Sequence, residues 1–216
     1  NSLALEEDEH ISSMLAMPED AAELDGKYLM FVTDFGTVRR NEAKEFANIR
    51  SNGKIAIKLE GKDGEPQGSL VRVLLCDGAD DLLMATRKGV AIRFAVEDVR
   101  VFKSRDSVGV RGVRLGRNDS IVDACVLPGT DADANERTAY LNGGSCTVRS
   151  GETQGEGETF ELSQERMAEL RAQERFVFGM SALGFGKLSS SHAYRKTSRG
   201  GKGITGMKIN GSTGDL

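Results

Sequence analysis

Three stretches of the chain repeat the same order of apolar and polar positions. Each stretch begins with an apolar strand, turns at a glycine, and continues in a short strand that carries a basic residue. A second glycine follows 17 to 20 residues after the first and opens a strand of alternating apolar and polar residues. Alternation with a period of two predicts β-strands with one buried face. The repeats cover residues 27–59, 80–115 and 175–209, with turn glycines Gly36, Gly89 and Gly184 and second glycines Gly53, Gly109 and Gly203.

One more apolar strand precedes each repeat, beginning at Ile11, Leu70 and Ser120. Four short strands per unit, joined by glycine turns, are typical of propeller-type blades. The sequence therefore predicts an all-β fold of propeller-like blades, each with four antiparallel strands. Because the chain has no tryptophan, it is not an ordinary WD repeat protein. We assign the blades to residues 11–59, 70–115, and 120–127 together with 175–209, and we expect Val32, Ala85 and Gly179 to occupy equivalent strand positions.

An insertion at residues 128–174 separates the second and third repeats. Its first part, residues 128–162, is acidic, rich in glycine and without periodicity, which predicts a solvated loop. Removal of such a loop should leave the melting temperature nearly unchanged. The remaining residues, 163–174, predict a short helix that begins after the N-cap Ser163.

The net charge of −4 is an average over segments of opposite sign. Residues 1–25 hold eight acidic residues and no basic one, and residues 128–174 hold ten acidic and four basic residues. The rest of the chain therefore holds 25 basic and 15 acidic residues. This excess of positive charge on the repeats favours a polyanionic partner. A solvated charged surface without a partner is the alternative.

The glycine-rich stretch SRGGKGITGMKI, residues 198–209, raises the question of nucleotide binding. A P-loop requires the spacing G-x-x-x-x-G-K-[ST]. Here Gly203 follows Lys202, and Lys196 stands where the first glycine is needed, so the stretch is not a P-loop. A basic turn against a nucleic acid and a tight turn before a strand are the interpretations left open.

Other catalytic or metal chemistry finds no support in the sequence. Two histidines, His10 and His192, cannot supply a metal-ligand cluster or a nucleophile–base pair. The cysteines form no C-x-x-C pair, which predicts reduced thiols rather than a disulfide or zinc site. No apolar run approaches the length of a membrane span, and the acidic N-terminal stretch does not resemble a signal peptide. We therefore expect no catalytic residue, no metal site and no membrane association.

The repeats resemble a known family. The segments MFVTDFGTVRRNEAKEFANIRSNGKIAIKL, GVRGVRL and GFGKLSSSHAYRKTSRGGKGI closely resemble the C-terminal domain of the DNA gyrase A subunit. The resemblance implies a β-pinwheel, a disc of blades that exchange strands and whose basic rim binds and bends duplex DNA. By position, the chain resembles the end of a first blade followed by a second, third and fourth blade. The family's hallmark box Q-R-R-G-G-K-G, which belongs to the first blade, has its nearest match in TSRGGKG at residues 197–203.

The resemblance also implies a role within a larger enzyme. Wrapping of DNA around the disc supports negative supercoiling by an ATP-dependent type IIA topoisomerase. Its partners are double-stranded DNA, a second gyrase A subunit in an A2B2 holoenzyme, and the gyrase B subunit, in the bacterial cytoplasm at the nucleoid. ATP and Mg²⁺ are implied for the holoenzyme and no cofactor for this fragment, and Tyr28, Tyr140 and Tyr194 receive no catalytic role. Two alternatives stay open: the C-terminal domain of topoisomerase IV, and a protein-interaction propeller without DNA binding.

A row of basic residues at matching turn positions is the predicted DNA-binding surface. A glycine turn lets the backbone approach a partner closely, and a neighbouring Arg or Lys neutralises phosphate without reading bases. We expect these side chains to face one edge of the disc. The predicted DNA-binding residues are Arg39, Arg40, Lys54, Arg93, Arg111, Lys187, Arg199, Gly200, Gly201, Lys202 and Gly203.

Overall fold

The three repeats form three antiparallel hairpins in the computed structural model. The structure describes residues 5, 7, 9–49, 53–60, 64–104, 107–148 and 157–216. The strands of this part of the chain are β1 (Lys27–Thr33), β2 (Thr37–Glu42), β3 (Leu70–Asp77), β4 (Asp81–Thr86), β5 (Val90–Ala95), β6 (Val110–Arg111), β7 (Ile121–Leu127), β8 (Ser145–Val148), β9 (Glu158–Glu161), β10 (Phe176–Met180), β11 (Gly186–Ser190) and β12 (Ile204–Thr205). The helices are α1 (Ala134–Leu141) and α2 (Gln164–Gln173), and 3₁₀ turns occupy Ala21–Leu24, Ala43–Phe46, Val96–Asp98 and Ser191–Ala193. The prediction of antiparallel β-strands in repeated units is confirmed.

Each hairpin turns at the predicted glycine. Gly36, Gly89 and Gly184 have φ angles of +76°, +78° and +84°, a region that residues with a Cβ rarely adopt. Their amides donate to the carbonyl oxygen of the residue three positions earlier at 3.0, 2.9 and 2.9 Å, which closes the turn. The strand ladders place Val32, Ala85 and Met180 four residues before the turn glycine, opposite Val38, Ala91 and Gly186.

The third member of the predicted equivalent set is therefore wrong by one residue. Gly179 pairs with Lys187, and Met180 is the residue that matches Val32 and Ala85. An alignment of the three repeats by their apolar residues shifts the third repeat by one position. The hydrogen-bond register follows the turn glycine instead.

Two hairpins are completed into four-stranded sheets by strands from later in the chain. The first sheet has the order β3-β1-β2-β6 and the second has the order β12-β5-β4-β7. β6 and β12 follow the next hairpin along the chain, so neighbouring units exchange a short strand. The third hairpin, β10-β11, forms a two-stranded sheet within the described residues.

The predicted order of strands within a blade needs correction. The apolar strand before each repeat pairs with the hairpin that precedes it: β3 pairs with β1 from Lys27↔Asp77 to Thr33↔Leu70, and β7 pairs with β4. Only a short connection separates β3 from β4, so the chain steps from the edge of one sheet into the next. Residues 11–17 have no strand hydrogen bonding, and Met14 is 87% exposed.

The main core lies between the first and second sheets. Met30, Val32 and Val38 of the first sheet meet apolar residues of the second sheet, and all of them are almost fully buried. Alternate residues of the same strands face the other side: Leu29 and Phe31 pack with Phe46, and Leu83 and Ala91 pack with Tyr194 near the third hairpin. Removal of this apolar surface from water is the main force that stacks the hairpins. The residues contributed by the second sheet are Leu82, Met84, Ile92 and Phe94.

The insertion is a folded unit, so its prediction as a solvated loop is wrong over the described residues. Asp133 and Glu136 form a reciprocal capping box that begins α1, and β8 pairs with β9 in a second small sheet. The predicted helix after Ser163 is confirmed as α2, with the Ser163 hydroxyl accepting from the amide of Arg166 at 3.1 Å. Apart from Gly129, the glycines that suggested a loop lie at the α1–β8 turn and at residues 151–157, and of the latter range only residue 157 is described.

Candidate nucleic-acid interface

The glycine-rich turn at residues 198–203 docks on residues 110–114 of the preceding repeat, a segment that begins with β6. The amide of Gly200 donates to the carbonyl oxygen of Gly112 at 2.7 Å, and the amide of Arg114 donates to the carbonyl oxygen of Gly201 at 2.8 Å. The turn is entered from Thr197, whose amide donates to the carbonyl oxygen of Arg93 at 2.8 Å. Backbone hydrogen bonds therefore hold the turn at a fixed place between the second and third repeats. We call residues 198–203 the basic turn.

The glycines of the basic turn have different physical roles. Gly200 and Gly203 both have a left-handed backbone, with φ of +82° and +75°. A Cβ on Gly203 would lie 2.5 Å from the carbonyl oxygen of Ala91, so β5 requires a glycine there. A Cβ on Gly200 would have 3.8 Å to its nearest neighbour, and Gly201 has similar room. The outer side of the turn is thus open to a partner.

Arg199 fastens the basic turn to its neighbours. Its Nε donates to the carbonyl oxygen of Asp98 at 3.1 Å, and its Nη1 donates to the carbonyl oxygen of Arg111 at 2.6 Å. The side chain is half-buried. Two of the five guanidinium N–H groups are used in this way, so the residue has a structural role besides any contact with a partner.

Three exposed cations lie in the basic turn or on the segment that holds it. Lys202 belongs to the turn, and Arg111 and Arg114 belong to the segment 110–114. Within the described residues, none of the three has a carboxylate within salt-bridge distance. Unpaired positive charges on a backbone surface without bulky side chains can approach phosphate oxygens closely. We call Arg111, Arg114, Arg199 and Lys202 the basic surface.

Two of the predicted DNA-binding residues, Arg39 and Arg40, lie in the interior. Arg39 is fully buried, and its guanidinium donates to Asn41 Oδ1 at 2.9 Å and to the carbonyl oxygen of Ser107. Arg40 is 8% exposed and lies 4.5 Å above the centre of the Tyr28 ring. Their assignment to a DNA-facing edge is wrong, because both side chains are enclosed by the fold.

Arg93 is a third predicted residue that does not face a partner. It is 2% exposed, and its Nε lies 2.9 Å from the fully buried carboxylate of Asp81. A buried guanidinium needs an opposite charge and hydrogen-bond acceptors, and these all come from the protein itself. Its assignment to the DNA-facing edge is therefore also wrong.

Lys54 and Lys187 are exposed but are not gathered at the basic turn. The ammonium of Lys54 donates to the carbonyl oxygen of Glu45 and lies 5.5 Å from the centre of the Phe46 ring. The ammonium of Lys187 donates to the carbonyl oxygen of Gly206 at 2.9 Å. The structure thus brings together six of the predicted residues, namely Arg111, Arg199, Gly200, Gly201, Lys202 and Gly203.

Arg114 is a member of the basic surface that the sequence prediction missed. The segment GVRGVRL contains both arginines three residues apart, and the prediction includes only the first. The signal was Gly112 between them, where a Cβ would lie 2.9 Å from Val38 Cγ1 and 3.2 Å from the carbonyl oxygen of Gly36. A glycine pressed against the neighbouring strand marks a segment whose backbone is packed on one side and open on the other.

A metal-ligand cluster and a membrane-spanning helix are both absent from the described residues. No group of three His, Cys, Asp or Glu side chains in this part of the chain is placed to hold a metal ion. His192 is 1% exposed, and its Nε2 donates to the carbonyl oxygen of Leu170 at 2.9 Å. None of the described helices has the length and apolarity needed to cross a bilayer.

Comparison with known proteins identifies the family. A family model described as DNA gyrase C-terminal domain, beta-propeller, matches residues 27–64, 80–125 and 175–215, which together make up more than half of the chain. These ranges contain the three hairpins and omit the insertion.

Individual relatives and one solved structure agree with this match. The chain is 41% identical over 221 residues to the DNA gyrase A subunit of Rickettsia bellii, covering 99% of the chain and 24% of that protein. It is 38% identical over 216 residues to the DNA gyrase A subunit of Granulibacter bethesdensis, covering 92% of the chain and 22% of that protein. A solved structure of a DNA gyrase A C-terminal domain has the same fold, with a TM-score of 0.63, 19% identity, and coverage of 99% of the chain and 54% of that structure. The chain, which spans about a quarter of the length of its gyrase A relatives, belongs to the DNA gyrase C-terminal domain family.

Proposed function

We propose that the chain binds duplex DNA without sequence preference and bends it, as the C-terminal domain of a DNA gyrase A subunit. The observation that carries this proposal is the basic surface: a turn held by backbone hydrogen bonds, with Lys202, Arg111 and Arg114 exposed and without carboxylate partners among the described residues. Cations in this state can neutralise phosphates, which supplies most of the affinity of non-specific DNA binding.

The geometry favours phosphate contacts over base contacts. Direct readout of bases needs a helix or a two-stranded ribbon that enters a groove. The basic turn is one short loop in which Gly200 and Gly201 leave the backbone accessible, which suits contact with the sugar–phosphate backbone. Affinity should therefore depend strongly on salt and weakly on sequence.

Repetition of the point at which each loop begins supports bending. In the preceding unit, the amide of Phe102 donates to the carbonyl oxygen of Arg40 at 2.8 Å, as the amide of Thr197 does to Arg93. The exposed Lys103 follows Phe102 as Ser198 follows Thr197. Successive units can then hold the backbone at successive points, and the contacts offset the cost of deforming the duplex.

The role in the whole protein follows from the family. We assign to this chain the wrapping of DNA that supports negative supercoiling by an A2B2 gyrase holoenzyme in the bacterial cytoplasm. Because the chain spans about a quarter of its gyrase A relatives, we assign strand cleavage, ATP and Mg²⁺ to other parts of the holoenzyme. No step of the DNA-binding mechanism passes through these groups.

A binding measurement with a matched control tests the proposal. Binding to two linear duplexes of unrelated sequence should weaken about tenfold or more for Arg111→Ala with Lys202→Ala, and equally on both duplexes. The control is Lys27→Ala with Lys44→Ala, which removes two charges that are already paired with Asp77 and Asp25. Equal affinity in both double variants would overturn the proposal and favour a solvated surface or a protein-interaction propeller.

A further inference from the structure

A buried carboxylate at the start of β4 joins the second hairpin to the segment that leads into the basic turn. One oxygen of Asp81 lies 2.9 Å from Arg93 Nε, and the other lies 2.9 Å from Lys196 Nζ. Asp81 is fully buried and Arg93 is nearly so, whereas Lys196 is 39% exposed along its side chain. We call Asp81, Arg93 and Lys196 the Asp81 node.

The node contacts the segment 191–197 near both of its ends. Arg93 Nη1 donates to the carbonyl oxygen of Ser191 at 2.9 Å, and Lys196 is tied to Asp81 at the other end. The carbonyl oxygen of Arg93 then accepts from the amide of Thr197 at 2.8 Å and from its hydroxyl at 3.3 Å. The basic turn begins at the next residue, so its position depends on these hydrogen bonds and on the ion pair of Lys196.

Among the residues that the structure describes, the equivalent place in the first hairpin contains no such ion pair. The ladders match Arg40 with Arg93, since these pair with Met30 and Leu83, and they match Tyr28 with Asp81 two residues earlier. Isolated bridges likewise match Val101, opposite Arg40, with Lys196, opposite Arg93. There the arginine lies over the Tyr28 ring, and an apolar valine replaces the lysine. Of the two hairpins compared, the described residues thus show the charged node in the second, where Lys196 shortly precedes the loop that contains RGGKG.

We propose that the Asp81 node is a positioning site that sets the place of the basic turn and thereby the curvature of the bound DNA. This inference rests on the proposed function of the basic surface. A carboxylate buried between two cations fixes direction in a way that an apolar contact does not, because each of its oxygens faces its own charged donor. Loss of Lys196 removes the ion pair nearest to the turn and leaves Arg93 and Asp81 paired.

Amide exchange without DNA tests the positioning directly. In Lys196→Met, the amides of Gly200 and Arg114, which bond the turn to the segment 110–114, should exchange at least about tenfold faster, a change equivalent to about 1.4 kcal/mol. Lys196→Arg should restore protection, since a guanidinium can also reach Asp81. The control Lys27→Met, which removes a lysine paired with Asp77 in the first sheet, should leave these amides unchanged. Unchanged exchange in Lys196→Met would overturn the proposal even if DNA binding is confirmed.

A salt titration with end-labelled duplex separates positioning from a direct contact of Lys196 with phosphate. If Lys196 contacts phosphate directly, its removal should reduce the magnitude of the negative slope of log K against log salt by about 0.9. The proposal instead expects an unchanged slope, with lower affinity and lower energy transfer between the duplex ends because the bend is reduced. A slope reduced by one contact with unchanged energy transfer would show that Lys196 is a phosphate ligand and would contradict the positioning role. Absence of DNA binding by the unaltered chain would overturn the proposed function and, with it, the curvature half of this proposal.

The obvious alternative variant, Asp81→Asn, leaves Arg93 buried without a full counter-charge and is expected to unfold the second sheet. The positioning role is therefore tested at Lys196, which lies on the exposed side of the node. A circular dichroism melt of Lys196→Met within a few degrees of the unaltered chain is required by the proposal, since the turn alone should loosen. Loss of the whole fold in Lys196→Met would contradict a local positioning role.

Discussion

The ring of Tyr140 packs edge-on against the ring of His192, with 4.8 Å between the ring centres. Tyr140 belongs to α1 of the insertion, and His192 belongs to the 3₁₀ turn that follows β11. The Tyr140 hydroxyl also donates to Glu174 Oε2 at 3.0 Å, and the Arg137 guanidinium donates to the carbonyl oxygen of His192 at 3.3 Å. The insertion is thereby packed against the third repeat.

We predict that Tyr140→Ala lowers the free energy of unfolding by about 1–3 kcal/mol, because an aromatic pair and part of its buried apolar surface are lost. Tyr140→Phe keeps the ring and removes only the bond to Glu174, so it should cost about 1 kcal/mol or less. Chemical denaturation monitored by circular dichroism measures both values. An alanine variant as stable as the unaltered chain would mean that the insertion is a solvated loop after all.

A second prediction concerns the acid stability of the insertion. The hydrogen bond from Arg166 lowers the pKa of Glu136 from its ordinary value of 4.5 and lowers the pKa of Asp131. A carboxyl group with a pKa lower in the folded than in the unfolded state stabilises the fold above the unfolded pKa, and this contribution is lost as the pH falls through the folded pKa. The melting temperature should therefore fall below about pH 4.

Carboxyl titration by NMR checks this cause, with Arg166→Met as the variant. The substitution should raise the pKa of Glu136 toward its ordinary value. Glu165 serves as an internal control, since backbone and Ser163 hydrogen bonds lower its pKa independently of Arg166. A Glu136 pKa that does not respond would contradict the ion pair seen at 2.8 Å.

The insertion shows where a sequence pattern can mislead. Acidic and glycine-rich composition predicted a loop, although Asp133 and Glu136 carried the spacing of a capping box. The composition of the whole segment outweighs this two-residue signal, because α1 has few apolar residues of its own. Its stability comes from contacts with His192 and α2, which no local pattern can reveal.

A third prediction concerns thiol reactivity. Burial raises the pKa of Cys76 to about 12 and that of Cys125 to about 11. Because the thiolate is the reactive form, both cysteines should react slowly with iodoacetamide at about pH 8 in the folded protein and rapidly in guanidinium chloride. Peptide mass spectrometry after a timed reaction measures the difference. Rapid labelling of either cysteine in the folded chain would contradict the packing of β3 or β7.

A fourth prediction separates two glycines of the basic turn. Gly200→Ala and Gly203→Ala both place a Cβ on a left-handed backbone, which costs about 1–2 kcal/mol. Gly203→Ala should cost more, because its Cβ would also meet the carbonyl oxygen of Ala91 at 2.5 Å. Thermal unfolding of the two variants gives the comparison. Equal losses would mean that β5 does not approach the turn as closely as described.

The repeated glycines made the three hairpins predictable. The partners of the strands and the burial of the charged side chains could not be predicted from the sequence. A turn glycine is a local requirement, so Gly36 and Gly89 could be found from spacing alone. The exchange of β6 and β12 between units depends on contacts between residues far apart in the chain. Arg93 stands among apolar residues of a strand, and only the position of Asp81 on the neighbouring strand shows that it points inward.

The salt dependence of binding to linear duplex DNA tests the central claim most directly. Three exposed cations and the half-buried Arg199 can each release about 0.9 counterions, so the slope of log K against log salt should be about −3 to −4. Arg111→Ala combined with Lys202→Ala should reduce the magnitude of that slope by about two, on duplexes of any sequence. A slope near zero for the unaltered chain, or an unchanged slope in the double variant, would contradict DNA binding by the basic surface.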